Sequence, residues 1–269
     1  MDFYGVVGEK LSHSLSPNIN NRVFELLGIE AAYKLFEISK DDISKLGEAM
    51  KLLGINGVNV TIPYKQEVMR QLDYIAPEAK AIGAVNTIKL KDSKLYGYNS
   101  DYYGFGSMLK VNNIKTDNKD AVVLGAGGAA KAVIAYLLDN GVKNVYLVSR
   151  DKNSSVEVDK RVMRIDYTDL KSIKGDILVN TTPVGMYPNV ENSPVSEDII
   201  KKYEALVDLI YNPEWTEFLK LGKKLGKKTC GGLYMLVGQA IKSEETWQEK
   251  EISQDILTTI YNELKANFN

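Results

Sequence analysis

The stretch AVVLGAGGAAKAV, running from Ala121 to Val133, decides the fold. Ala121 to Leu124 is a short apolar run, the pattern of a strand buried on both faces. Gly125, Ala126, Gly127 and Gly128 make a turn almost without side chains, and Ala129 opens a helix with Val133, Tyr136 and Leu137 on one face. A strand, a glycine turn and a helix N-terminus together aim free backbone N–H groups and the positive end of a helix dipole at an anion. The spacing of Gly125, Gly127 and Ala130 fits G-x-G-x-x-A, the dinucleotide fingerprint. A glycine-rich turn can serve close packing alone, but the flanking strand and helix favour a bound pyrophosphate.

Moving toward the C-terminus, Asn140-Gly141 closes the helix and Asn144 to Val148 reads as the second strand of a βαβ unit. The residues after that strand choose the nucleotide. An NAD site places an acid there for the ribose 2′-OH. This chain has Ser149, Arg150, Asp151 and Lys152. Arg150 and Lys152 suit a 2′-phosphate and point to NADP, while Asp151 would repel it, so NAD stays open. Further strands are expected at Val162–Ile165, Asp176–Asn180, Ala205–Ile210 and Lys228–Cys230. The threonine-rich loop from Thr181 to Met186 suits a cofactor crevice. Tyr211-Asn212-Pro213 is expected to start a helix, and Gly231-Gly232 leads into another with Met235, Leu236 and Ala240 on its apolar side and polar Gln239 among them.

Toward the N-terminus, Phe3 to Gly8 reads as a buried strand entering a loop with Ser12, His13, Ser14 and Ser16. Ser16 followed by Pro17 predicts a capped helix start. Ser14 has no such role, and two hydroxyls at a strand's end suit a polyhydroxylated ligand. Asp41 is expected to cap a helix carrying Ile43, Leu46, Met50 and Leu53. In the strand that follows, alternation puts Val58, Val60 and Ile62 on one face and Asn59 and Thr61 on the other. Lys65 then falls at an expected helix start, where a surface lysine is the plain reading. Ala84–Leu90 and Leu95–Tyr98 form an expected hairpin in which Asn86, set between apolar residues, needs a hydrogen-bond partner. Asp101 is placed to cap a helix from Tyr102 to Leu109.

The chain has 269 residues, with 34 basic and 35 acidic side chains, so no bulk charge favours nucleic acid or an anionic membrane. No apolar run approaches the roughly 20 residues of a membrane span. Cys230 is the single cysteine and His13 the single histidine. That pattern argues against disulfides and multi-histidine metal sites, and leaves proton chemistry to lysine, aspartate or tyrosine. A cytoplasmic protein is expected. The architecture drawn is α/β: an N-terminal α/β substrate domain (1–101, completed by C-terminal helices in 238–269) and a Rossmann-type doubly wound dinucleotide-binding domain (102–237), with the ligand expected in the cleft between them.

Several motifs, in order along nearly the whole chain, resemble the shikimate dehydrogenases. They are Ser12-His13-Ser14-Leu15-Ser16-Pro17, Asn59-Val60-Thr61-Ile62-Pro63-Tyr64-Lys65, Gly83-Ala84-Val85-Asn86-Thr87, Gly97-Tyr98-Asn99-Ser100-Asp101, the glycine turn, Asp208-Leu209-Ile210-Tyr211-Asn212-Pro213, and Gly232 through Ala240. The resemblance implies reversible NADPH-dependent reduction of 3-dehydroshikimate to shikimate. It further implies Lys65 and Asp101 as the catalytic pair, and Ser14, Ser16, Asn59, Thr61, Asn86, Tyr211 and Gln239 as substrate contacts. By the same resemblance, Gly125 to Ala130 hold the pyrophosphate, Ser149 to Lys152 lie at the adenosine ribose, and Thr181, Leu209 and Gly232 lie toward the nicotinamide. Which member of the Lys65–Asp101 pair carries the proton stays open, as does a monomer or homodimer. Two departures stand out: Ser100 where the family usually has threonine, and Ser149-Arg150-Asp151 where it usually has Asn-Arg-Thr. Aspartate near that position also occurs in quinate/shikimate dehydrogenases that use NAD, whereas serine at both 14 and 16 leans toward shikimate.

Overall fold

The computed structural model describes residues 1–12, 14–150 and 159–266. The chain folds as two compact units, Met1–Gly104 with Val237–Leu264, and Phe105–Leu236 with Lys265–Asn269.

The first unit begins with β1 (Asp2–Gly8), α1 (Ser16–Leu27), β2 (Ala31–Glu37), α2 (Leu46–Leu53), β3 (Ile55–Val60), β4 (Tyr74–Ile75), α3 (Pro77–Ile82), β5 (Thr87–Lys91), β6 (Lys94–Tyr98) and α4 (Ser100–Val111). Its sheet has the order β2-β1-β3-β5-β6-β4. β1 runs parallel to β2 and β3, and β3, β5 and β6 pair antiparallel. The β5–β6 turn places Asp92 at φ 49° and Ser93 at φ 59°, the left-handed pair of a tight two-residue hairpin. Val58 and Val60 pack with Ile43, Leu46, Met50, Tyr64 and Ile88 in one core cluster.

The second unit carries β7 (Asp120–Leu124), α5 (Gly128–Asp139), β8 (Asn144–Val148), β9 (Val162–Ile165), β10 (Ile177–Asn180), α6 (Glu197–Ile200), β11 (Ala205–Asp208), α7 (Glu217–Lys224) and β12 (Lys228–Cys230). All five pairings in the order β12-β11-β10-β7-β8-β9 are parallel. From β7 the chain winds outward through β8 and β9, then returns to the other side of β7 to build β10, β11 and β12. Ligands bind such sheets at the carboxyl ends of the strands flanking that reversal, here β7 and β10. Residues 121–124 are fully buried, as a two-sided strand requires. α8 (Leu233–Gln248) and α9 (Gln254–Ala266) close the chain. Trp247 of α8 is anchored on the first sheet, its Nε1 donating to the Ile88 carbonyl at 3.0 Å. The doubly wound α/β architecture is as expected, and no helix of the described residues is long and apolar enough to cross a membrane.

Local expectations differ at several points. Ile62 does not share the buried face of Val58 and Val60: β3 ends at Val60, and Ile62 is 71% exposed. Leu53 likewise falls outside the α2 stripe and is exposed. The segment before α2 starts as a 3-10 turn, Ile43–Lys45, and Asp42 rather than Asp41 precedes it. Lys65 sits in a turn ahead of the short 3-10 segment Glu67–Gln71, so it opposes no helix dipole. Tyr211-Asn212-Pro213 starts no helix; α7 begins at Glu217, where the Thr216 side chain accepts from Leu219 N–H.

Candidate functional site

Two turns bring the lysine and aspartate together. Tyr64 is fully buried and donates from its hydroxyl to the Ile38 carbonyl at 2.6 Å. The Lys65 carbonyl accepts Val85 N–H at 2.8 Å. The backbone of residue 65 is thereby pinned on both sides while its side chain remains free to project. Asp101 lies in the first turn of α4, where a negative charge is favoured by the helix dipole. It is not the cap: Asn99 Oδ1 accepts from Tyr102 N–H, and Asn99 Nδ2 donates to the Ala84 carbonyl at 2.9 Å. The Lys65 Nζ donates to Asp101 Oδ2 at 2.6 Å, with side-chain exposures of 14% and 5%. A charge-assisted hydrogen bond of that length, largely withdrawn from water, holds the ammonium in one place.

Polar side chains from four segments accompany the pair in the same unit. Ser16 is the first residue of α1 and makes no cap; instead Ser14 Oγ accepts from Ser16 N–H at 3.3 Å and donates to Ser16 Oγ at 3.2 Å. The helix start is thus shaped by Ser14, the serine to which no local role was assigned. Thr61 follows β3, its N–H bonded to the Val7 carbonyl. Gln239 lies on α8, and its carbonyl accepts the Ser243 hydroxyl at 2.9 Å. Asn86 is 4% exposed, and its Oδ1 accepts from Ser100 N–H at 2.7 Å, Thr87 Oγ1 at 3.0 Å and Ser100 Oγ at 3.2 Å. Its Nδ2 has no hydrogen bond among the described residues. Asn59 donates from Nδ2 to Ser243 Oγ at 2.8 Å, and its Oδ1 accepts from Tyr33 hydroxyl at 2.7 Å.

Tyr33 and Ser243 carry no mark in the sequence reading. Tyr33 is a residue of β2, and its buried hydroxyl bonds Asn59 and lies beside Ser16. Ser243 was findable, being one helical turn beyond Gln239 and so on the same face.

In the second unit, Gly125 follows β7 at φ +99°, and a Cβ there would lie 3.0 Å from Thr181 Oγ1 and 2.8 Å from Thr182 Cγ2. That conformation and that crowding both call for glycine. Thr181, at the end of neighbouring β10, donates to the Leu124 carbonyl at 2.7 Å and ties the two strand ends at the topological reversal. Gly127 caps α5 with extended backbone, and a Cβ built on it meets nothing within 4 Å. Gly128 and Ala129 are the first residues of that helix, following Ala126 in the turn. Open space above the N-terminus of a twelve-residue helix fits a dinucleotide pyrophosphate.

Leu209 and Gly232 meet backbone to backbone, Gly232 N–H bonding the Ile210 carbonyl at 3.0 Å. Behind them Asp208 is fully buried, accepting from Thr216 Oγ1 at 2.7 Å, Asn180 Nδ2 at 3.0 Å and Ile210 N–H at 3.1 Å. Desolvation pushes its carboxyl up to about 6, against the pull of those donors. Asp208 entered the sequence reading only as a motif member, and the structure makes it the brace between the ends of β10 and β11 and the start of α7. Tyr211 is partly buried in this unit, and burial raises its phenol. Ser149 follows β8 with its N–H on the Ile165 carbonyl, and Arg150 beyond it is exposed. Lys152, and Asp151 with it, lie outside the described residues.

A glycine turn at the reversal of a doubly wound sheet, carried with a separate α/β unit holding a buried lysine–aspartate pair, defines a nucleotide-dependent oxidoreductase. A profile of the shikimate dehydrogenase substrate binding domain matches residues 6–88. The shikimate dehydrogenase (NADP(+)) of Clostridium beijerinckii is 58% identical over 269 residues, covering 100% of both chains. Shikimate dehydrogenase 1 from Peptoclostridium difficile superposes with a TM-score of 0.94 at 60% identity, over 100% of this chain and 99% of that one. The Thermus thermophilus shikimate 5-dehydrogenase, solved in complex with NADP(H) and shikimate, gives 0.88 at 30% identity over 98% and 99%. The chain belongs to the shikimate dehydrogenase family.

Proposed function

We propose that this chain catalyses the reversible NADPH-dependent reduction of 3-dehydroshikimate to shikimate, a step of aromatic amino-acid biosynthesis. The observation that carries the proposal is the Lys65–Asp101 hydrogen bond of 2.6 Å, shielded from water in the unit that contains the matched substrate binding domain. Bound NADPH supplies a hydride to the substrate carbonyl carbon. Negative charge then grows on the carbonyl oxygen, and the Lys65 ammonium stabilises it by a hydrogen bond and passes it a proton. In this reading Lys65 is the proton donor, and Asp101 Oδ2, 2.6 Å from its Nζ, is the partner. Asp101 keeps that ammonium aimed, so little reorganisation is needed as the charge develops. In the reverse direction Lys65 takes the hydroxyl proton.

Ser14, Ser16, Asn59, Thr61, Asn86, Tyr211 and Gln239 are the proposed contacts to substrate hydroxyls and carboxylate, neutral groups that select by direction rather than by charge. Gly125 to Ala129 would hold the pyrophosphate. Ser149, Arg150 and Lys152 would hold the phosphorylated ribose, and Thr181, Leu209 and Gly232 the nicotinamide end. We assign residues 1–101 and 238–269 to the substrate domain and 102–237 to the NADP domain, a division supported by the two compact units. Balanced charge and a single cysteine support a cytoplasmic enzyme of small-molecule substrates, without nucleic acid, as monomer or homodimer.

Steady-state rates with NADP and NAD, each on shikimate and quinate, test the reading. Turnover is expected to be highest with NADP and shikimate. A preference for NAD or quinate would replace it by a quinate/shikimate dehydrogenase, and absence of turnover in all four arms by a non-catalytic dinucleotide sensor.

A further inference from the structure

The polar groups behind Asn86 form one directed chain rather than a loose cluster. Tyr33 is 3% exposed, and its hydroxyl donates to Asn59 Oδ1 at 2.7 Å. The opposite end of the Asn59 amide faces the backbone carbonyl of Asn86 at 3.2 Å, which can only accept, so that end is Nδ2 and Oδ1 is left to the phenol. Nδ2 also reaches Thr87 Oγ1 at 3.2 Å, as well as Ser243 Oγ. Thr87 is fully buried, with Asn59 donating to its oxygen, Ser100 Oγ at 3.2 Å and Ser243 Oγ at 3.0 Å. Each serine has another acceptor for its proton: Ser243 reaches the Gln239 carbonyl at 2.9 Å, and Ser100 reaches Asn86 Oδ1 at 3.2 Å. With its oxygen accepting from Asn59, Thr87 donates to Asn86 Oδ1 at 3.0 Å, beside the Ser100 N–H at 2.7 Å, or to Ser100 Oγ at 3.2 Å, which in turn donates to Asn86 Oδ1. By either route the bonds point the same way, from the Tyr33 phenol to Asn86 Oδ1. Reversing the Asn86 amide would set its N–H₂ against the Ser100 N–H and break the series at its end.

We infer that Thr87 is a positioning residue for the proposed reaction: its hydroxyl carries hydrogen-bond polarity from Tyr33 and Asn59 to Asn86 and so presents Asn86 Nδ2 as a fixed donor to the substrate. The inference rests on the functional reading above. Thr87 touches neither reacting atoms nor nucleotide in this scheme; it acts through Asn86. Buried polar groups that satisfy one another in series hold a single orientation because any one reversal leaves an unmatched pair.

Two substitutions separate hydroxyl from packing. Thr87→Val keeps the shape and removes the O–H, leaving Asn59 Nδ2 one acceptor short and Asn86 Oδ1 one donor short. Losing about one hydrogen bond's worth of ordering predicts a rise of about fivefold in the KM for shikimate. The KM for NADP should be unchanged, and kcat should fall by less than about twofold. Thr87→Ser keeps the O–H and loses a methyl, and should stay within about twofold of wild type in all three quantities. If Thr87→Ser is as impaired as Thr87→Val, the residue is packing only and the inference is wrong. It is equally wrong if Thr87→Val leaves the shikimate KM unchanged or moves the NADP KM in parallel. Should Thr87→Val fail to fold, Tyr33→Phe removes the phenol proton at the head of the series; a raised shikimate KM supports the inference and an unchanged one overturns it. Wild-type enzyme without shikimate turnover overturns the functional reading itself, whereas active wild type with an indifferent Thr87→Val overturns the relay alone.

Discussion

Replacing Lys65 by methionine keeps an aliphatic stem of similar length and deletes the ammonium. In the resting protein, Asp101 Oδ2 then loses a partner at 2.6 Å while its carboxylate remains 4% exposed. Breaking a buried ion pair from one side costs about 3–5 kcal/mol, and the residual exposure of the Lys65 side chain, 14%, puts the expected loss near the lower end. The catalytic loss is larger in effect. A preorganised donor to a developing oxyanion is worth about a hundred- to a thousandfold in rate, and a positioned proton donor adds a further factor of about a hundred or more. Since Lys65 supplies both, kcat should fall by at least about a thousandfold, while the shikimate KM moves by no more than about threefold. Steady-state kinetics on Lys65→Met, Asp101→Asn and the double variant, each checked for folding by thermal denaturation, would measure this. If the two side chains act as one unit, the double variant loses little more than the worse single one. Near-normal turnover with a raised KM in Lys65→Met would refute the reasoning and make Lys65 a binding group. Fully additive losses would refute the claim that Asp101 works through Lys65.

The glycine turn offers a test in which stability and binding separate. Gly127→Val enters a backbone at φ −80°, ψ −175°, with nothing among the described residues within 4 Å, so the melting temperature should hold while the KM for NADP rises at least about tenfold. Gly125→Ala should lower both, because φ is +99° and Thr182 Cγ2 is 2.8 Å from the new Cβ. Arg150→Ala should cost about tenfold in kcat/KM with NADP and leave NAD rates unaffected; equal losses with both nucleotides would remove the 2′-phosphate role. The pH dependence of stability should report Glu244. Burial, opposed only by a hydrogen bond from Gln248 Nε2, pushes its carboxyl up from the usual carboxylate range to about 8. A carboxyl raised on folding stays protonated in the native state after the unfolded chain has ionised. Stability is therefore intact below about pH 4.5 and declines as pH rises toward about 8, by up to about 1.4 kcal/mol per unit from this group. Glu244→Gln should abolish that slope and raise the melting temperature at pH 8 but not at pH 4.5; identical pH profiles for variant and wild type would count against a buried neutral acid.

The regular elements were legible wherever burial imposes a period. β8 and β12 have the bounds read from the sequence, and the buried part of β7 shows as the unbroken apolar run Ala121 to Leu124, as a parallel strand covered on both faces does. The ends of elements were not. Ser16 and Asp101 both look like helix caps, since a hydroxyl or carboxylate before an apolar stripe has that local option. In the structure α1 has no side-chain cap, its Ser16 N–H bonding Ser14 Oγ, Asn99 takes the role at α4, and Asp101 is committed to Lys65, 36 residues away. Ile62 fails for the same reason: alternation predicts its face only as long as the strand continues, and pairing with β5 stops short of it. Tyr33 was invisible because a tyrosine in a strand needs no explanation until its hydroxyl is seen on Asn59.

From sequence alone came a glycine turn between a buried strand and a helix, a basic residue after the next strand, and, through the family resemblance, Lys65 and Asp101 as the expected pair. The first two follow from residue type and near-neighbour spacing, which act over a few residues and survive without knowledge of the rest; the pair follows from motifs in a shared order. Only the tertiary structure decided that Lys65 and Asp101 meet at 2.6 Å, that Asn86 has its oxygen saturated and its nitrogen without a partner among the described residues, and that Ser243 on α8 closes a network begun at Tyr33. Hydrogen-bond direction is a property of pairs brought together across tens to hundreds of residues, and no local pattern encodes which partner a buried amide will find.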